Sequence, residues 1–356
     1  VGRSRETEWP KDLGEPRFLI LRLSAIGDVI LSIPVLCALR ERFPQAYICW
    51  VVEPASRSLL EGHPDLDRLI VIPKKWLRSP RSFFWIRAEL RPTEFDVAFD
   101  IQGLTKTATI GWLAGVRRQV TYGTRDAREI SPWLATDLVY PTRVHVVERN
   151  LELLRVVGIH EPRPRFRFPG WPEAGHRAKE LLASLDLPER GFGIINPGAG
   201  WPSKLWPPER FGLVSRYWGE HWRLPSLVVW AGSKERCLAE QVVARSGGWA
   251  RLAPNTSLTE LAELSRRARL FLSSDTGPLH LAAALGTPCV GLYGPWPADR
   301  CGPYGDHCLA IQKMRLDAPS HRRRKAPPIY MDSIGVDDVC TACDTLLARQ
   351  APPLAA

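Results

Sequence analysis

The chain has 356 residues, more than one ordinary core fills, and this length predicts two domains of roughly 150 residues each. Hydrophobic residues at 45% and charged ones at 24% sit near the averages for globular chains, which excludes disordered, collagen-like and disulfide-scaffold proteins. The formal net charge of +10 points to anionic partners: phosphates, nucleic acid or an acidic membrane surface.

Residues 1–15 are charged and lack the apolar run of a secretory signal, so the expected location is the cytoplasm. A short apolar strand over 18–23 leads through Ser24-Ala25-Ile26-Gly27-Asp28 into a helix over 29–43. Further strands follow at 47–52, 69–72 and 95–99. These are continuous apolar runs rather than alternating ones, as in parallel strands covered on both faces. Between Lys74 and Arg91 six basic residues (Lys74, Lys75, Arg78, Arg81, Arg87, Arg91) face one acid, Glu89, among Trp76, Phe83, Phe84 and Trp85.

Around 162–172 the composition turns to Pro, Arg and Gly, which reads as a linker. The alternation then restarts, with strands at 192–195, 227–230, 270–272 and 288–292 and helices at 207–221, 234–246, 258–266 and 278–285. A last helix is expected at 337–348. The charge-free stretch 276–298 carries four Gly, four Pro and a His and is no membrane span. A second basic cluster, His321-Arg322-Arg323-Arg324-Lys325, lies in a Pro-rich loop, and neither cluster matches a nucleic-acid-reading motif. Cys340-x-x-Cys343 with Cys301 and Cys308 suggests a four-thiolate zinc site, but the 301-to-308 gap is wider than usual ligand spacing, and buried free thiols are favoured.

Open parallel sheets bind ligands beyond the carboxyl ends of their strands, so the loops there are the candidates for chemistry. In 196–208, Gly198, Ala199 and Gly200 let the backbone approach a bulky anion and Lys204 adds a point charge; an ordinary Gly/Pro-rich turn fits equally well. In Ser274-Asp275-Thr276-Gly277-Pro278-Leu279-His280 the helix start suits a phosphate, against a plain N-cap with His280 in the core. Asp28 is either a general base or an acidic residue favoured by the dipole of its helix, and Glu235 either a ribose acceptor or an exposed first-turn glutamate. The P-loop and G-x-G-x-x-G fingerprints are absent.

Taken together, four blocks resemble glycosyltransferase family 9, the ADP-heptose:lipopolysaccharide heptosyltransferases. They are residues 21–34, 100–106, 196–211 and 274–295. The resemblance implies an α/β GT-B fold: two Rossmann-like doubly wound parallel-sheet domains facing across a cleft. Residues 1–165 would form the acceptor domain, 166–334 the nucleotide-sugar domain, and a helix within 335–356 would pack back on the first. It implies inverting, metal-independent transfer of heptose from ADP-heptose to a lipid A–Kdo acceptor; the alternatives are a transferase of the same fold using another nucleotide sugar or acceptor, and a catalytically inactive sugar-nucleotide-binding homologue. Asp28 would be the base and Lys204 would neutralise the departing diphosphate. Thr276 and Gly277 would hold phosphate, Asp275 the sugar hydroxyls, Glu235 the ribose and Thr256 the adenine, with His280 also matched. Lys74, Lys75, Arg78, Arg81, Gln102, Lys106, Arg143 and Arg149 become acceptor candidates. No cofactor and no nucleic-acid partner is expected, and the expected state is a monomer on the inner face of the inner membrane. The Lys313–Met331 insertion lies outside the family pattern.

Overall fold

The computed structural model describes residues 15–350. The chain divides into two units between Gly170 and Trp171, slightly beyond the expected boundary. The first unit holds β1 (Arg17–Leu21), β2 (Tyr47–Val52), β3 (Arg68–Val71), β4 (Val97–Asp100), β5 (Arg118–Tyr122) and β6 (Asp137–Val139), all parallel in the order β3-β2-β1-β4-β5-β6. The second holds β7 (Gly193–Asn196), β8 (Ser226–Val228), β9 (Ala250–Leu252), β10 (Leu270–Ser274), β11 (Cys289–Tyr293) and β12 (Cys308–Gln312), also parallel, in the order β12-β11-β10-β7-β8-β9. Counted from its own first strand, each sheet therefore has the same doubly wound order.

The central strands are buried along their whole length, as β4, β7, β10 and β11 illustrate, because helices cover both faces. The helix expected over 29–43 is two pieces, Ile26–Ile30 and Ile33–Arg42. Pro34 explains the break: it has no N–H to give and its ring clashes with the carbonyl four residues back.

Asp100, the last residue of β4, organises the turn that follows. Its Oδ1 accepts from the Gln102 N–H at 3.2 Å and the Gly103 N–H at 2.8 Å, and its Oδ2 accepts from the Ser131 hydroxyl at 2.9 Å. Gly103 has φ +63°, and a Cβ there would lie 2.7 Å from the Ala127 Cα, so only glycine lets the 124–128 loop close on it. Full burial pushes the Asp100 carboxyl up to about 6 from 3.8, despite these hydrogen bonds. Between those values the folded chain holds a proton that the unfolded chain lacks. This contribution to stability is therefore complete below the lower value and lost as pH rises through the upper one, by about 3 kcal/mol. Asp100→Asn is expected to gain on the parent by that order between about pH 4 and pH 7, read from denaturant unfolding across pH. A difference that does not change with pH would contradict it.

The 162–172 segment is fastened to the first domain. The Arg167 guanidinium lies 2.5 Å from Asp65 Oδ1, and the Arg167 carbonyl accepts from His63 Nε2 at 2.8 Å. Cys37 joins His63 and Asp65 there. His63 Nδ1 already accepts from the Asp65 N–H at 3.1 Å, so both ring nitrogens are engaged and a cation is present in Arg167. The cluster anchors chain; burial pushes its thiol, Cys37, up to about 12.

In the second domain the last helix, Val336–Ala348, buries Val339, Cys340, Cys343, Leu346 and Leu347 in the core that contains Trp206, Phe211 and Trp218. The Trp206 indole N–H donates to the Ile334 carbonyl at 3.0 Å, and Asp344 accepts from Tyr217 and from Trp222, each at 2.7 Å. This corrects the expected return of the helix to the first domain: its apolar face is used within the second. Cys340 and Cys343 lie in that core, whereas Cys301 and Cys308 pack with Cys289 in the cluster around Phe192 and Tyr293. The four thiols do not gather at one point.

Candidate active site

In each sheet the crossovers reverse direction beside the first strand, which places a switch point between β1 and β4 and another between β7 and β10. All four of the loops leaving these strands carry residues singled out in the sequence.

In the first domain Asp28 sits on the short helix Ile26–Ile30 just after β1. Its Oδ1 pairs with the Arg22 guanidinium at 2.9 Å and its Oδ2 accepts from the Ala25 N–H at 3.2 Å. The carboxylate caps its helix start, and the side chain remains 47% exposed. A carboxylate has about four lone-pair positions, so two donors leave room for a hydroxyl. Arg22 itself is nearly buried and donates to the Ile101 carbonyl at 2.9 Å, which fixes the guanidinium behind the carboxylate.

The β4 loop braces the β1 loop. The Gln102 side-chain oxygen accepts from the Leu23 N–H at 2.9 Å, and Lys106 pairs with Glu53 at 2.7 Å and donates to the Ser24 hydroxyl at 3.2 Å. Two acceptor candidates thus hold the frame around Asp28. Arg149 is likewise engaged, with Asp126 and with the Arg143 carbonyl at 2.9 Å, and Arg143 pairs with Glu161 at 3.2 Å. Lys74, Lys75, Arg78 and Arg81 are exposed and have no ion-pair partner among the described residues.

In the second domain Lys204 ends a 3-10 turn, Pro202–Lys204, in the loop after β7. Its ammonium lies 2.5 Å from Asp275 Oδ2, 3.4 Å from the Asp275 carbonyl and 4.4 Å from the centre of the Trp296 ring. The other Asp275 oxygen takes His280 Nε2 at 3.3 Å. Burial works against the ionised form of Asp275, but the His280 hydrogen bond and the Lys204 charge outweigh it and hold the carboxyl below its usual range. Thr276 is the N-cap of helix Gly277–Ala284; its hydroxyl takes the Leu279 N–H at 3.4 Å and the Asn196 amide at 3.2 Å, with Ser273 Oγ at 3.1 Å. A cation, a capped helix start and a buried carboxylate–imidazole pair thus share one switch point, a combination suited to a phosphate group.

Gly198 lies against Glu235: a Cβ there would meet the Glu235 carboxyl at 2.3–2.6 Å. The same carboxylate accepts from the Ala231 N–H at 2.9 Å at the start of helix Gly232–Arg245. Gly200 by contrast faces open space, and Ala199 beside it belongs to the same irregular loop. Thr256 is half-buried in the loop between β9 and helix Leu258–Arg267. The basic insertion belongs to this domain, and the Arg324 guanidinium stacks over Trp201 at 4.4 Å, on the Lys204 loop. Arg22 and Trp296 were not given roles by the sequence. The signals were there: Arg22 precedes the Asp28 turn, and Trp296 stands in the Gly-Pro-Trp-Pro that follows β11.

A sequence model described as glycosyltransferase family 9 (heptosyltransferase) matches residues 84–329, more than half of the chain. The chain belongs to glycosyltransferase family 9. This family 9 enzyme is 29% identical over 303 residues to lipopolysaccharide heptosyltransferase 1 of Pseudomonas aeruginosa, covering 81% of each chain. It is 27% identical over 310 residues to the protein of the same name from Salmonella typhimurium, covering 83% of this chain and 93% of the relative. Its fold is that of the family 9 glycosyl transferase from Veillonella parvula, with a TM-score of 0.82 at 23% identity over 94% and 98% of the two chains. It also matches E. coli heptosyltransferase WaaC with ADP, with a TM-score of 0.73 at 22% identity over 93% and 99%. The family 9 chain is thus a glycosyltransferase of the GT-B type, with one Rossmann-like sheet in each domain.

Proposed function

We propose that this glycosyltransferase moves heptose from ADP-heptose to the lipid A–Kdo inner core of a lipopolysaccharide precursor, with inversion at the anomeric carbon and without a metal ion. Asp28 takes the proton of the acceptor hydroxyl, the hydroxyl oxygen forms the new bond to the anomeric carbon, and the bond to the ADP oxygen breaks on the opposite side. Lys204 and the start of helix Gly277–Ala284 receive the charge that builds on the diphosphate, the task a divalent cation performs in other transferases. Glu235 takes the ribose hydroxyls, Thr256 lines the adenine, and Lys74, Lys75, Arg78 and Arg81 meet acidic groups of the acceptor.

The observation that carries this reading is the Lys204 ammonium at 2.5 Å from Asp275, beside a capped helix start at a sheet switch point. The names of the relatives, lipopolysaccharide heptosyltransferase 1 among them, support the donor and the acceptor class. One solved structure of the same fold is of WaaC with ADP-2-deoxy-2-fluoro heptose, with a TM-score of 0.71 at 21% identity. No described helix is long and apolar enough to cross a membrane. The acceptor would be met at the inner face of the inner membrane. The test is ADP release from ADP-heptose across a panel of lipid A–Kdo acceptors with EDTA present. Release is expected at the same rate with and without EDTA. No release with any acceptor would overturn the function, and loss only in EDTA would overturn the metal-free step.

The contact between Gly198 and Glu235 gives a sharper check. Gly198→Ala would push the Glu235 carboxylate aside, so each of Gly198→Ala and Glu235→Ala should weaken ADP binding by about five- to tenfold. The double substitution should be no worse than Glu235→Ala alone, because both act through one carboxylate. Calorimetric titration with ADP reads this, and additive losses would separate the two residues.

A further inference from the structure

We propose that one face of the first domain is a docking surface for an anionic lipid bilayer. Helices Pro80–Leu90, Thr105–Ala114 and Ser131–Leu134 pack side by side over one face of the first sheet. Ile86, Leu90, Ile110 and Leu113 point inward and form its core. The outward side carries Phe84 at 75% exposure, Trp112 at 62% and Trp133 at 87%, with Trp85 and Ile130 also exposed. Trp112 is the one exposed residue of its helix, an indole placed where nothing in this domain covers it.

Around these side chains stand exposed Arg78, Arg81, Arg87, Arg91, Arg125 and Arg128. Of the acids nearby, Glu89 pairs with Arg68, Asp126 pairs with Arg149, and Glu129 accepts from the Thr105 N–H at 3.0 Å. A shallow, mostly apolar depression of about 360 Å³ is lined by Phe84, Arg87, Ala88, Arg91 and Pro92. Indoles favour the headgroup level of a bilayer, and arginines beside them draw anionic lipids. Apolar contact and charge together give the reversible binding of a protein that lies on a membrane without crossing it. A second copy is a poor occupant, since two such faces would bring like charges together.

Position adds to composition. Arg78, Arg125, Arg128, Ile130 and Trp133 lie in segments that follow the carboxyl ends of β3 and β5, the sheet edge that also carries Asp28. Docking there would hold the base at the level of the lipid headgroups. This use of the surface rests on the proposed lipid acceptor; the surface itself does not.

The test is cosedimentation of the whole chain with phosphatidylcholine vesicles, with and without phosphatidylglycerol. The parent is expected to bind only the anionic vesicles and to leave them in high salt. The variant with Phe84→Ser, Trp112→Ser and Trp133→Ser should bind them at least about tenfold more weakly. Its ADP release with a soluble, delipidated acceptor should match the parent within twofold. If that variant melts early, Arg87→Glu on the same outer face decides, and it should weaken binding likewise. Unchanged binding in the variants, or a parent that ignores both vesicle types, overturns the docking surface. So does a parent dimer in sedimentation velocity that the triple variant dissolves without any vesicle binding. A parent that binds vesicles but releases no ADP with any acceptor overturns the proposed reaction and leaves the surface standing.

Discussion

Asp28→Asn is expected to lower kcat for heptosyl transfer by about 10²–10⁴-fold, the usual worth of a positioned general base. The substitution keeps an oxygen for the Ala25 N–H, so the cap survives, but its amide nitrogen is a donor and cannot replace the oxygen that pairs with Arg22. The Kd for ADP-heptose should stay within twofold, because the proposed donor site lies in the second domain. Asp28→Ala should lose as much rate and more stability, since it removes the acceptor for the Ala25 N–H together with the carboxylate beside the nearly buried Arg22 guanidinium. The measurement is steady-state ADP release alongside titration of the donor. A rate within a few-fold of the parent would reduce Asp28 to the cap of a short helix.

Lys204→Ala should cut kcat/KM by about 10²–10³-fold, the loss seen when one donor to a developing anion is removed. It should also weaken ADP binding and lower Tm, for a separate reason. Asp275 is 8% exposed and held ionised by Lys204 and His280; without the ammonium it becomes a buried charge with only an imidazole beside it. Breaking a buried pair in this way costs about 3–5 kcal/mol. Adding Asp275→Asn should therefore return much of the lost Tm and none of the lost rate. Recovery of rate in the double variant would mean that the cation serves Asp275 rather than the diphosphate.

The pair also explains how much of the site was legible in advance. Loop positions were readable because strands leave a parallel sheet at predictable places, and Gly198, Lys204 and Thr276 stand in those loops with the residue types an anion requires. Their partners were not. That the two Asp275 oxygens face Lys204 and His280 is a consequence of β7 and β10 being neighbours, which nothing local to either segment states. Glu235 meets Gly198 for the same reason, across β7 and β8.

The fold shows a similar division. The central strands read clearly as apolar runs, and 47–52 was placed residue for residue. The strands that the apolar pattern does not reveal are those whose sequence mixes in polar residues. In β5, Gln119 and Thr121 are buried but satisfied, by the Ala108 carbonyl at 3.2 Å and the Asp100 carbonyl at 2.9 Å. β6 and β9 have three residues each, and β12 lies at an edge with every position partly open to water. Helix Pro172–Ser184 was masked by the Pro-rich composition just before it.

Because the two sheets are wired alike, their functional loops correspond one to one. The turn with Asp28 leaves the first strand of one sheet and the turn with Lys204 leaves the first strand of the other; Gln102 and Thr276 each follow the fourth. A single blueprint thus occurs twice with opposite polarity, with a carboxylate on the turn in one half and an ammonium on the turn in the other. Substrate preference in either half is then open to change by rewriting a turn, with the scaffold beneath it left intact.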